Sequence, residues 1–370
     1  MGSRLSAERP PLPYRLLGLP RFALALLVLL YHALPVADLN DPALYATDFG
    51  PVAVFVFFVL SGYIITEAAL AFYAGRPFAF AANRLLRLWP AYLAALAAMA
   101  FVLWLTGRAE PGQLSAANLA ANALALFPSV VVTDPLLGLS KRGELLPIVW
   151  ALRVEFAFYF VVVLALLAGR LGARTLWIVP LCWLALAGNL AFYHLDAGDE
   201  RATFYFGMAP YFVLGAVWAL RTAGGLPQLL LDPLLPPALL LAALHAYSFD
   251  AFDADAVAWE RATGAGPFLA AALFLLLLAW CLLRLRREAA RAPAQAATDR
   301  LLGNLTYELY LVHLPVAVLV AWLWPTPAWS SLLVVLALSL AAAALLASLL
   351  GAALRPLRRR VRRAATPTLA

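Results

Sequence analysis

Apolar runs of about 18 to 22 residues recur along the whole chain, and their length limits what it can fold into. An α-helix rises about 1.5 Å per residue, so each run can cross the roughly 30 Å hydrocarbon core of a bilayer. Hydrophobic residues make up 65% of the sequence and charged residues only 13%, which is unlike a soluble domain. We therefore predict an all-α, polytopic integral membrane protein with about ten transmembrane helices. The predicted spans cover residues 16–36, 52–73, 88–106, 149–168, 175–194, 204–221, 229–247, 265–283, 301–323 and 330–353.

Residues 107–148 separate the third and fourth predicted spans and hold one further apolar piece, residues 117–132. Asn118, Asn122 and Pro128 interrupt this piece, and such residues are costly in a helix that faces lipid. We therefore predict an outer-face or re-entrant helix here rather than a further span.

Basic residues concentrate in alternate connections between the predicted spans. With a cytoplasmic N-terminus, 20 of the 27 lysine and arginine residues fall on the cytoplasmic side and five on the outer side, while Arg21 and Arg153 lie within spans. This asymmetry is the positive-inside pattern and predicts that both termini are cytoplasmic. It also predicts two parts, a transmembrane domain over residues 1–354 and a basic cytoplasmic tail over residues 355–370.

Several classes of function are disfavoured by where the charges and cysteines lie. The net charge of +7 belongs to the ends of apolar segments, which indicates contact with membrane lipid and argues against a nucleic-acid partner. Cys182 and Cys281 lie inside apolar runs without ligand spacing, so we predict neither a metal site nor a disulfide. Lys141 is the only lysine beside abundant Ala, Leu and Arg, which favours a bacterial inner (plasma) membrane.

Ionisable residues inside the spans are the candidates for function, because a charge at membrane depth costs at least ~2.5 kcal/mol. The first span holds Arg21 and His32, the fourth holds Glu155 and the ninth holds His313. His32 lies eleven residues beyond Arg21, about 16 Å further outward along a helix. From their distances to the outer span ends, we expect His32, Glu155 and His313 to meet in the outer half of the membrane. Each also has a structural alternative: a snorkelling anchor for Arg21, an interfacial His32, an ion-paired Glu155 and a packing His313.

Arg84 and Arg87 are three residues apart and so share one face of a helix, directly before Pro90, which we expect to open the third span. Two guanidinium groups on one face at the cytoplasmic boundary are suited to bind phosphate. The phosphate could belong to a lipid headgroup or to a nucleotide-like cofactor.

Intramembrane His, Glu and Arg can serve an enzyme, but they are also typical of a proton-coupled transporter. A transporter is therefore the alternative function from a different class. A membrane sensor or scaffold would tolerate the loss of His32, whereas an enzyme would not.

Five segments, in this order and spacing, resemble the acyltransferase-3 family of membrane acyltransferases, which modify bacterial surface polysaccharides and related glycans. They are RFALALLVLLYH with Arg21 and His32, FFVLSGYIIT with Ser61, RLLRLWPAY with Arg84 and Arg87, WALRVEFAFY with Trp150 and Glu155, and LTYELYLVHLP with Tyr307, Tyr310 and His313.

The resemblance implies transfer of an acyl group, most often acetyl, from cytoplasmic acyl-CoA to a hydroxyl of a carbohydrate or glycolipid acceptor at the outer side of the membrane. It implies that Arg84 and Arg87 bind the coenzyme A phosphates, with Arg21 at the entrance, and that no metal takes part. His32 is then the expected general base, with Glu155 to orient it. The remaining candidates, for oxyanion or substrate contacts, are His313, Ser61, Tyr307, Tyr310 and Trp150.

The predicted topology can be tested with reporter fusions. Fusions after Gly75 and after Arg355 should report a cytoplasmic location, and a fusion near Asp48 should report a periplasmic one, because basic residues remain on the cytoplasmic side. A periplasmic signal after Arg355 would contradict the even number of spans.

Overall fold

The computed structural model describes most of the chain, and the described residues form helices and connections without a strand. The described ranges are 17–39, 48–124, 144–170, 178–198, 200–223, 226–249, 265–285, 293–326 and 328–363. The helices, numbered in chain order, are α1 (Gly18–Ala33), α2 (Phe49–Phe72), α3 (Pro77–Thr106), α4 (Ala116–Leu124), α5 (Val149–Arg170), α6 (Ile178–His194), α7 (Glu200–Ala223), α8 (Gln228–Ser248), α9 (Gly266–Leu285), α10 (Pro293–Leu323) and α11 (Trp329–Arg363).

Within the described ranges, nine helices are long and apolar enough to cross a membrane. The predicted span 175–194 corresponds to α6, which is a shorter apolar helix and ends in a π-helical turn, Asn189–His194. The non-spanning helix predicted at 117–132 is represented by α4, and the rest of that segment lies outside the described residues. The prediction of an all-α, multi-pass membrane protein is confirmed, while the orientation of its termini stays a prediction.

Three helices extend beyond the predicted spans. α3 begins at Pro77 rather than near residue 88, so Pro90 lies inside the helix and does not open it. α10 begins at Pro293 rather than near residue 301, and α11 continues to Arg363, past the predicted boundary at 354. Apolar composition marks only the part of a helix that meets lipid, whereas its hydrogen bonding continues into polar flanks. The basic residues 355–363 are therefore the last turns of the final helix.

α2 occupies the centre of the bundle. In its membrane window 72% of the residues are buried, against 17% in α11, which lies at the periphery. Glycines bring α2 close to α7: a Cβ at Gly62 would lie 2.5 Å from the Phe212 carbonyl oxygen, and one at Gly215 would lie 2.0 Å from that of Val59. Small residues at such crossings let membrane helices approach to backbone contact.

α1 and α10 lie side by side in parallel and in constant register. At one end the amides of Gly18 and Leu19 donate to the two carboxylate oxygens of Asp299, at 2.7 and 2.9 Å. At the other end a ring nitrogen of His32 lies 3.3 Å from one of His313. The pairs Gly18–Asp299 and His32–His313 are both separated by 281 positions, so the two helices keep one alignment over the whole of α1.

The close crossing of α2 and α7 at Gly62 and Gly215 predicts which glycine substitution will destabilise the fold. Gly215→Ala should lower the free energy of unfolding by about 1–3 kcal/mol, because the added methyl group overlaps the α2 backbone. Gly351→Ala is the matched control, since a Cβ there meets nothing within 4 Å, and it should be neutral or slightly stabilising. Thermal unfolding in detergent measures both, and equal melting temperatures for the two variants would contradict the crossing.

Candidate active site

A cavity of about 70 Å³ lies between α1, α2, α3, α5 and α10, which is room for several water molecules. Its walls combine mostly apolar side chains of α2 with polar and apolar side chains from the other four helices. Seven of the candidate site residues line it: Arg21, Ser61, Arg84, Arg87, Glu155, Tyr307 and Tyr310.

The arginines in this cavity are suited to bind an anion. Arg84 is only 7% exposed and its Nε has no hydrogen-bond partner, while its guanidinium lies 5.4 Å from the centre of the Phe80 ring. Neither Arg84 nor Arg21 nor Arg87 forms an ion pair with any carboxylate of the described residues. Because a buried guanidinium is costly without a partner, this cluster indicates a site for a phosphate or carboxylate group.

Glu155 is the acidic side chain of the cavity wall. Its Oε1 accepts hydrogen bonds from the hydroxyls of Ser61, at 3.2 Å, and Tyr159, at 2.5 Å. Tyr159 is one helical turn beyond Glu155 on α5, so the two share a face of the helix. These two hydroxyls orient the carboxylate, and its negative charge offsets part of the positive charge of the arginines in the same cavity.

The two tyrosines of α10 use their hydroxyl protons within the protein. Tyr307 donates to the carbonyl oxygen of Leu88 at 2.9 Å, and Tyr310 donates to that of Ile148 at 2.8 Å. A tyrosine hydroxyl has one proton, so neither offers it to an oxyanion in this arrangement. Here they tie α10 to α3 and to the start of α5.

His32 and His313 form a pair beyond the cavity, where the last turn of α1 packs against α10. His32 Nδ1 lies 2.9 Å from the Val28 carbonyl oxygen and 3.3 Å from His313 Nε2, while His313 Nδ1 lies 3.3 Å from the Leu309 carbonyl oxygen. A carbonyl only accepts, so each Nδ1 carries a hydrogen. The single Nδ1–H of His32 is therefore shared between the Val28 carbonyl oxygen, its nearer acceptor, and the lone pair of His313 Nε2. The arrangement leaves His32 Nε2 with a free lone pair, on a half-buried ring beside a His313 that is 1% exposed.

The expectation that Glu155 joins this histidine pair is wrong. Among the described residues, Glu155 hydrogen bonds to neither His32 nor His313 but to the hydroxyls in the cavity. The reason is the depth at which α5 begins. Ile148, directly before α5, accepts a hydrogen bond from Tyr310, and Tyr310 precedes His313 by about one turn of α10. Glu155 lies about 9 Å further along α5 and so away from the pair.

Trp150 does not line the cavity and instead packs on its aromatic wall. Its ring is perpendicular to Phe58, at 6.0 Å between centroids, and to Phe204, at 6.3 Å. Two polar residues of the cavity wall, Tyr159 and Thr306, are absent from the sequence-based set of candidates. The four-residue spacing from Glu155 could have indicated Tyr159, whereas nothing in the sequence singles out Thr306.

No group of three or more His, Cys, Asp or Glu side chains that could hold a metal occurs in the described part of the chain. The titratable groups that are brought together are instead three arginines with one glutamate, and two histidines. Fold and site together define a multi-pass membrane protein with a cationic cavity inside its helix bundle.

A family model described as an acyltransferase domain matches residues 18–351, which is nearly the whole chain. The chain belongs to the acyltransferase-3 family and is a membrane acyltransferase. This confirms the resemblance drawn from the five segments and favours an acyltransferase over a transporter. Searches of curated proteins and of solved structures found no match.

Proposed function

We propose that the protein transfers an acyl group, with acetyl as the expected one, from cytoplasmic acyl-CoA to a hydroxyl of a carbohydrate or glycolipid acceptor on the outer side of a bacterial inner membrane. The observation that carries this proposal is a cavity wall with three arginines that have no carboxylate partner among the described residues. The same helices, α1 and α10, lead from that cavity to the histidine pair.

Coenzyme A is a ligand that suits the arginine cluster, because its phosphates are the anions that guanidinium groups bind best. Arg84 and Arg87 share one face of α3 and both line the cavity, so they can contact the same phosphate group. Arg21 adds a third positive charge from α1. The predicted orientation puts this end of α1 and α3 on the cytoplasmic side, where acyl-CoA is made.

The route from phosphate site to reaction site follows α1. Arg21 and His32 are eleven residues apart, about 16 Å along the helix. Tyr310 lies between them, since it lines the cavity and its ring makes an edge contact with that of His313 at 6.1 Å between centroids. A long, flexible pantetheine arm suits such a separation, because it carries the thioester away from the phosphates.

In the proposed reaction His32 Nε2 takes the proton of the acceptor hydroxyl while the hydroxyl oxygen attacks the thioester carbonyl. The resulting tetrahedral intermediate expels the coenzyme A thiolate, which takes up the proton from His32. One C–O bond forms, one C–S bond breaks, and the products are the acyl ester and free coenzyme A. The Val28 carbonyl oxygen and His313 Nε2 share the His32 Nδ1–H, and both acceptors thereby orient the base and support its positive charge.

Donor binding is tested by titrating coenzyme A into the purified protein. Arg84→Ala or Arg87→Ala should weaken binding by about 1–3 kcal/mol each, the scale of a charge-assisted hydrogen bond. Arg87→Lys should restore little, because an ammonium group cannot form the two parallel hydrogen bonds of a guanidinium. Arg221→Ala is the control, since Arg221 pairs with Asp232 at 3.0 Å and does not line the cavity. Unchanged affinity in both alanine variants would assign these arginines to lipid anchoring.

The role of His32 is tested by acyl transfer from labelled acetyl-CoA to membrane glycans. His32→Ala and His32→Gln should both bind coenzyme A normally and lose about 10²- to 10⁴-fold in transfer rate, since an amide cannot take up a proton at neutral pH. His245→Gln is the matched control: His245 is buried and bonded to Tyr211 at 2.9 Å outside the site, so the change should affect stability but not turnover. Transfer at the wild-type rate by His32→Gln would remove His32 as the base.

A further inference from the structure

Pro90 leaves a backbone carbonyl of α3 without its helical donor, and the last helix supplies another. In an α-helix the amide of residue 90 would donate to the carbonyl of Leu86, but proline has no N–H. The Arg358 guanidinium, from the basic end of α11, donates to that carbonyl oxygen at 3.0 Å. A carbonyl at the membrane boundary that loses its helical partner is costly, so this contact stabilises the α3 conformation that Pro90 requires.

The same arrangement occurs at a second proline, where it serves structure alone. Pro210 lies inside α7, and the carbonyl that it deprives of a donor, that of Phe206, accepts from the Asn189 side chain at 3.0 Å. Asn189 is neutral and does not line the cavity. A neutral amide is therefore sufficient to satisfy such a carbonyl, and the use of arginine at Leu86 calls for a further reason.

The Leu86 carbonyl belongs to the turn of α3 that carries the donor-binding arginines. Leu86 is two residues beyond Arg84 and directly precedes Arg87, both of which line the cavity. Arg358 and Arg87 are also both within electrostatic range of Glu308 on α10. The end of α11 thus reaches the phosphate end of the cavity, although residues 355–363 lie outside the part of the chain that the family model matches.

We propose that Arg358 is a positioning residue of the donor site: through the Leu86 carbonyl it fixes the turn of α3 before Pro90 so that Arg84 and Arg87 face the cavity. This inference rests on the proposed function, because it takes the cavity to be the site of the coenzyme A phosphates. It makes the basic end of α11 part of the acyltransferase site. Because a guanidinium donates more strongly than an amide and adds a positive charge, arginine both holds the turn and attracts the anionic donor.

The first test compares two arginines of the same helix end. Arg358→Ala should weaken coenzyme A binding about 5- to 30-fold and raise the KM for acetyl-CoA by the same factor, while leaving the KM for the acceptor unchanged. Arg360→Ala removes the same charge from an exposed side chain and should change either value less than about 2-fold. Arg358→Lys should recover most of the affinity, since an ammonium can also donate to a carbonyl. Asn189→Ala should lower thermal stability without changing the donor KM.

The second test uses Pro90, because only the proposed contact couples it to Arg358. Pro90→Ala restores an amide that can donate to the Leu86 carbonyl. In that background Arg358→Ala should weaken coenzyme A binding less than about 3-fold, far less than in the wild type. The melting temperatures should show the same coupling in the absence of any donor. The change in the double variant should differ from the sum of the changes in the two single variants.

The outcomes separate this inference from the proposed function. If the wild type does not bind coenzyme A at all, the proposed function is wrong and the donor role of Arg358 falls with it, whatever the melting temperatures show. If coenzyme A binds but Arg358→Ala leaves its affinity unchanged, Arg358 only supports the fold and the positioning role is refuted. Equal losses in Arg358→Ala and Arg360→Ala would mean general attraction of anions or lipid by the basic helix, and would also refute it.

Discussion

The parallel packing of α1 on α10 is the contact on which both halves of the site depend. A bidentate cap from Asp299 to the Gly18 and Leu19 amides fixes one end, and a Cβ at Gly18 would lie 1.7 Å from the Asp299 carbonyl oxygen, so only glycine fits there. Because the same offset of 281 positions brings His32 to His313, a shift of one residue would separate the histidines and rotate Arg21 away from the cavity. One helix pair therefore aligns the arginine-lined cavity with the proposed base.

The other recurring constraint is that backbone groups inside a membrane must find partners in the protein. Proline inside a spanning helix breaks this rule locally, and at two of these prolines a side chain from a neighbouring helix supplies the donor: Asn189 for Pro210 in α7 and Arg358 for Pro90 in α3. Tyr310 donates to the Ile148 carbonyl at the start of α5. The contacts of Arg358 and Tyr310 link helices that are far apart in sequence, so the backbone at these points is stabilised by the assembled bundle rather than by single helices.

The sequence predicted the helices because apolar length depends on local composition alone. The spacing of Arg84 and Arg87 placed both on one face, and the structure puts that face on the cavity. The depth of a side chain in the bundle was harder to predict from the sequence. Assigning Glu155 to the histidines assumed that every helix begins in the same plane, whereas α5 begins at the depth of Tyr310. Arg358 could not be predicted, because its contact with Leu86 joins positions 272 residues apart.

The separation of the arginines from the histidine pair has an electrostatic consequence for the proposed chemistry. A general base must become a cation during the reaction, and nearby guanidinium groups oppose this. At an effective dielectric constant of about 20, two unit charges repel by about 4 kcal/mol at 4 Å but by only about 1 kcal/mol at 16 Å. Because His32 is about 16 Å along α1 from Arg21, while Glu155 offsets charge within the cavity, the protein can hold the proposed polyanionic donor with arginines and still protonate a histidine. A base built among the arginines would bind the same donor but would lose the ability to accept the hydroxyl proton.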